Sequence, residues 1–211
     1  ALPPAGDQPT AGERELLDQL AMQRAFEGRA RKQVVALAER AWGTGELLTD
    51  GAGDGVTWTL VSGALLVADE VERGLEVCEA ALADARRRGS PMAYANACYC
   101  RAWPLFAQGR VNDSVADSES ALATRDDGWS AFLGTAAAML IMGLVERGEP
   151  ARAREALAIV EDEETMRAST QYPMILVAAG RLLVAEGRPE EALAGLLSAG
   201  EMLTAAGMDC P

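Results

Sequence analysis

A short unit recurs five times in the 211-residue chain, anchored at Gly28, Asp69, Gly109, Gly148 and Gly187. The units read GRARKQV, DEVERGL, GRVNDSV, GEPARAREAL and GRPEEAL, and successive anchors lie 41, 40, 39 and 39 residues apart. A fixed period of this size marks a stacked array of one supersecondary unit, in which each copy buries its apolar face against its neighbours. The residues suit helices rather than sheets: 49% are hydrophobic and only 5% aromatic, an Ala/Leu-rich balance.

Helical segments can be placed around each anchor. Residues 1–12 are rich in Pro, Gly and Ala and form a lead-in or linker. Amphipathic helices follow at 13–26 and 31–42. Pairs are then expected at 56–68 with 71–88, 92–107 with 111–124, 129–146 with 151–160, and 173–186 with 189–205. The corresponding repeats span about 13–50, 55–89, 91–127, 129–164 and 171–207, with the array covering 13–211. Arg88-Gly89-Ser90-Pro91 supplies a glycine stop, a serine cap and a proline at the first helical position. Pro104 falls inside a helix and should kink or loosen it.

Several function classes are excluded. The net charge of −13 opposes direct binding of nucleic acid. The basic runs Arg29-Arg31-Lys32 and Arg86-Arg87-Arg88 are short, and the second offsets a helix C-terminus before Gly89. With no histidine, the commonest general base and zinc ligand are both missing. Cys98 and Cys100 point about 200° apart around a helix and cannot clamp one metal. With Cys78 and Cys210 they read as reduced thiols. The glycine-rich stretch at 43–55 lacks the Lys-Ser/Thr pair of a phosphate loop and reads as a flexible connection. Acidic residues at 161–164 and Asp126-Asp127 read as solvated helix ends. The expectation is a non-catalytic chain with no cofactor and no bound metal. With no apolar run long enough to span a bilayer and no leader, a cytoplasmic protein without membrane contact is expected.

The repeats align beyond their anchors. Seven residues before each stand Ala21, Ser62, Ala102, Ile141 and Gly180; five after stand Gln33, Gly74, Ser114, Ala153 and Ala192. Four of five are small in each set, which lets two antiparallel helices approach closely. Four before come larger residues: Arg24, Leu65, Leu105, Leu144 and Leu183. This order of small, large, glycine turn and small resembles the tetratricopeptide repeat (TPR), although that unit is about 34 residues and this one is longer. The resemblance implies an all-α, right-handed α–α superhelix, a TPR-like solenoid of about five helical hairpins with repeats of about 40 residues. Residues 187–211 are further similar to the helical region of large ATP-binding LuxR-family transcriptional regulators. That resemblance implies an ATPase before the segment and a DNA-binding helix-turn-helix after it. The ends lack polar caps, which suggests a piece of a longer protein and leaves end-to-end contact between copies, a homo-oligomer, open.

In TPR arrays the first helix of each pair lines a concave face, so the resemblance puts residues thirteen, ten and six before each anchor on a groove. These include Asn96, Tyr99, Trp103, Met142 and Arg181. Trp103 either faces that groove with Tyr99 or packs on a neighbouring repeat beside Pro104. Two functions fit: the sensor region of a LuxR-type regulator binding a small effector or a protein partner, and a self-standing scaffold joining protein partners.

Overall fold

The computed structural model describes residues 8–50, 56–161 and 164–208. Among them the regular elements are helices. They are α1 (Ala11–Phe26), α2 (Arg31–Trp42), α3 (Glu46–Asp50), α4 (Trp58–Val67), α5 (Val71–Arg88), α6 (Pro91–Ala107) and α7 (Val111–Ala123). After a 3-10 turn at Thr124–Asp127 come α8 (Leu133–Glu146), α9 (Pro150–Glu161), α10 (Glu164–Arg167), α11 (Tyr172–Ala185) and α12 (Pro189–Ala205).

The repeat unit is a helix stop. All five anchors adopt left-handed backbone: φ is +63° at Gly28, +62° at Asp69, +73° at Gly109, +72° at Gly148 and +78° at Gly187. At each, the anchor amide donates to the carbonyl three residues back, and the next amide donates to the carbonyl five back. Glu70 N to Leu65 O (2.8 Å) and Asp69 N to Leu66 O (3.0 Å) are one such pair. This is the Schellman closure, which satisfies the last carbonyls of the first helix and launches the second. The larger residue four before the anchor therefore supplies the carbonyl that ends its helix. Glycine fits because it alone takes positive φ without a Cβ penalty; Asp69 adopts the same conformation at a cost.

The small sites then bring the helices together. Ser62 Oγ donates to the Gly74 carbonyl at 3.0 Å, joining the site seven before the anchor to the site five after it. A Cβ on Gly74 would lie 3.3 Å from the Ser62 carbonyl oxygen, and one on Gly180 2.7 Å from Leu196. Ala21, Ala102, Ile141, Ser114, Ala153 and Ala192 are also buried, whereas Gln33, the one long polar residue in its set, is exposed.

Two compact units divide within α6, the first reaching Pro104 and the second covering Leu105–Met208. In the first, α1 pairs with α2 and α4 with α5, and α4 packs on both α1 and α2. In the second, α8 pairs with α9 and α11 with α12, while α8 also packs on α7 and α11. Val115 on α7 meets α8 where Gly143 leaves room for it.

Some boundaries differ from the sequence reading. α1 begins at Ala11 because Thr10 caps it: Thr10 Oγ1 accepts from Glu13 N (3.4 Å), and the Glu13 carboxylate accepts from Thr10 N (2.9 Å). The expected loop at 43–55 contains a short helix, α3, anchored by buried Leu47; residues 51–55 lie outside the described ones. α8 starts at Leu133 instead of 129 because Trp129 belongs to the stop before it. Gly128 takes φ +98°, and Trp129 N donates back to Thr124 O at 3.3 Å while its indole is buried. α6 stays helical through buried Pro104. Asp126 and Asp127 are exposed; side chains at 161–164, most of the lead-in (1–7) and Cys210 lie outside the described residues.

Candidate interaction surfaces

Asn96, Tyr99 and Trp103 stand on α6 in the first unit, and Met142 and Arg181 on α8 and α11 in the second. Tyr99 and Trp103 lie one turn apart and are half-buried, each keeping surface for a partner; Asn96 is buried. In the second unit the structure brings Met142 and Arg181 together. The exposed Arg181 guanidinium lies 3.9 Å from the Met142 sulfur and 3.3 Å from a Glu146 carboxylate oxygen, while Met142 itself is buried. Gln171 ties the start of α11 to α8, its side-chain oxygen accepting from Thr135 N at 3.1 Å and its amide donating to Ala131 O at 2.9 Å.

Polar groups inside the first unit add features that amphipathic periodicity does not reveal. Asp18, ten residues before its anchor as Tyr99 is before its own, is fully buried, and neither carboxylate oxygen has a hydrogen-bond partner. Burial pushes its pKa up to about 7; the nearby Gln19 amide opposes this, and the Glu15 charge adds a smaller rise. Arg14, one turn earlier, directs its guanidinium to Arg40 O (3.4 Å) and Gln8 Oε1 (3.3 Å). The Cys78 thiol sits 3.1 Å from Ser62 Oγ, and burial beside the Cys100 thiol pushes it well above the usual thiol range. Cys78, Cys98 and Cys100 are buried and outside any disulfide, shielded from solvent. Among the described residues no group of three His, Cys, Asp or Glu is placed to hold a metal. None of their helices is long and apolar enough to cross a membrane.

One groove belongs wholly to the first unit. It holds about 470 Å3 between α2 and α5, floored by Val61 and Leu65 of α4. Ala38 and Trp42 form one wall and Val77 the other; Glu39, Arg73 and Glu76 stand at the lip. Arg73 bridges the lip to Glu39 at 2.5 Å and approaches Glu70 at 3.9 Å; Glu70 in turn pairs with Arg31 at 3.0 Å. A comparable bridge, Arg152 to Glu119 at 2.6 Å, joins α9 to α7 in the second unit. The repeat register shows why the wall differs there. Fourteen residues after the anchor, where the first repeat has Trp42, the later ones have Ala83, Ala123, Asp162 and Glu201. That deviation was the sequence signal for the groove.

No family model and no curated protein matches the chain. Among solved structures, a Podosopora anserina protein described as a kinesin light chain with nearly identical TPR-like repeats superposes with a TM-score of 0.64. The match covers 95% of this chain and 99% of that one, at 14% identity. The chain has a TPR-like helical-repeat fold. Its longer period is accommodated within TPR-like hairpins, since the five Schellman stops recur at the anchors while α3 and α10 occupy stretches between hairpins. At this identity the likeness establishes the fold, and the partner must be argued from the surface.

Proposed function

We propose that the chain is a protein-interaction scaffold whose TPR-like hairpins present side chains to a protein partner. The observation that carries this reading is the aromatic pair Tyr99 and Trp103, one turn apart on α6 and each retaining exposed surface. Rigid aromatics on a helix give large contact area at low entropic cost, and they dominate binding energy where they occur. In the second unit, the exposed Arg181 beside Met142 and Glu146 is a separate candidate contact. A net charge of −13 favours a partner with a basic face over nucleic acid.

The narrower form of this reading is the sensor region of a LuxR-type ATP-dependent regulator, taking a small effector or a protein. It rests on the resemblance of residues 187–211, and the coding sequence flanking this segment tests it through the presence of ATPase and helix-turn-helix domains. The scaffold reading is tested by Trp103→Ala. Partner binding should weaken about tenfold or more, as loss of an aromatic hot spot does, with the helical circular dichroism unchanged. A variant that unfolds would place Trp103 in the core and remove the pair from the surface.

A further inference from the structure

We infer that the groove between α2 and α5 is a second docking site, on a helix face separate from Tyr99 and Trp103, and that it takes the arginine side chains of a basic amphipathic segment of a partner protein. This rests on the interaction-scaffold reading only for the occupant being a protein; the groove itself is a property of the first unit.

Its chemistry selects a cation with an apolar stem. The floor is apolar, with Val61 and Leu65 almost completely buried beneath it. Ala38 on one wall and Ala80 on the other are too short to fill the space, and Trp42 closes the end with an indole. At the same register positions α7 and α9 carry Glu119 and Ile159, both longer than alanine. The volume of about 470 Å3 is within the range of formed ligand sites. A methylene stem would lie against Ala80 and Trp42, the half-buried apolar residues of the groove, while its charged head stays at the lip.

The lip carries Glu39, Glu76 and Arg73, a net single negative charge. Glu39 is paired with Arg73, which also approaches Glu70 beside the groove. Glu76 faces the same groove, is exposed, and has no ion pair among the described residues. One carboxylate is therefore left for an incoming cation. Arg73 shows that a guanidinium fits this rim, since it already reaches one carboxylate across the groove and a second on its own helix. An arginine from a partner would meet Glu76 while its stem lies beside Trp42, where an indole adds cation–π attraction. An acidic segment would meet the same unpaired carboxylate and be repelled, which makes the site selective by charge.

The test titrates the whole chain by isothermal calorimetry with three probes. These are a short amphipathic peptide with Leu and Arg at helical spacing, its Glu-for-Arg analogue, and Nα-acetylarginine amide. The Arg peptide should bind and the Glu peptide should not. Glu76→Gln should weaken the Arg peptide about two- to fivefold. Glu79→Gln removes the same charge one turn along α5, outside the groove, and should have little effect. Trp42→Ala should weaken binding further, and Glu76→Gln, on an exposed site, keeps the test valid should that variant unfold. Equal losses from Glu76→Gln and Glu79→Gln would reduce the effect to attraction by net charge and overturn the site. Arginine amide binding as tightly as the peptide would overturn the protein occupant. Tyr99→Ala with Trp103→Ala should leave peptide binding unchanged; a loss there would move the peptide to the other surface and refute this groove. Failure of the scaffold reading shows instead as a missing natural partner, with peptide binding intact.

Discussion

Gly143 on α8 offers a direct test of how the hairpins stack. A Cβ at this position would lie 2.6 Å from Val115 Cγ2 on α7, about 1 Å inside an ordinary contact of roughly 3.5–4 Å. Valine cannot swing away, because its χ1 is nearly fixed in a helix. Gly143→Ala therefore gains about 1 kcal/mol of helix propensity and loses about 1–3 kcal/mol to overpacking. The net effect should be neutral to about 2 kcal/mol destabilising. Val115→Ala alone removes two buried methyl groups and should cost about 2 kcal/mol from lost burial and the space left behind. In that background the clash is gone, the new methyl enters the vacated space, and Gly143→Ala should now stabilise by about 1 kcal/mol. The same substitution thus changes sign with residue 115, a coupling of about 1–3 kcal/mol. Urea unfolding followed by far-ultraviolet circular dichroism measures all four proteins, with the transition of the second unit compared if the two units melt apart. Additivity within about 0.5 kcal/mol, or stabilisation by Gly143→Ala in the parent chain, would refute this packing of α7 on α8.

Other perturbations follow from single residues. Asp69→Gly should stabilise by up to about 1 kcal/mol by relieving left-handed strain. Gly109→Ala, with open space around the new methyl, should destabilise by about 1 kcal/mol through backbone strain alone; thermal melts showing the same sign for both would contradict the Schellman assignment. Asp18 holds its proton up to about pH 7 when folded but ionises near pH 4 when unfolded, so the folded chain binds more protons in between. Stability should accordingly fall as pH rises from about 4 through 7, by on the order of 4 kcal/mol for this group, and Asp18→Asn should flatten that slope. An unchanged pH profile in the variant would show that Asp18 is solvated.

The hairpin register was legible because each stop needs a residue that tolerates positive φ, and four of five positions use glycine. Small residues at fixed offsets recorded the close crossings, most clearly at Ser62 and Gly74. Trp129 misled because an indole after a glycine reads as the first residue of an amphipathic helix, whereas its amide completes the preceding stop. Asp18 was invisible because a polar residue on a helix implies exposure until a neighbouring helix is seen to cover it. The α2–α5 groove left only one trace in the sequence, Trp42 in the repeat register; the rest is made by what Ala38 and Ala80 do not fill, which shows only once three helices are assembled. The aromatic pair on α6 was readable as spacing, but spacing alone did not divide buried Asn96 from the half-exposed Tyr99 and Trp103.

The measurement that bears most directly on the interaction-scaffold account uses affinity capture with the whole chain, then calorimetric titration of the purified partner against the parent protein and the folded Tyr99→Ala/Trp103→Ala variant. The account predicts a defined complex with the parent and an affinity lower by about tenfold or more in the variant. A partner that binds both equally, or no partner that survives purification, would contradict it.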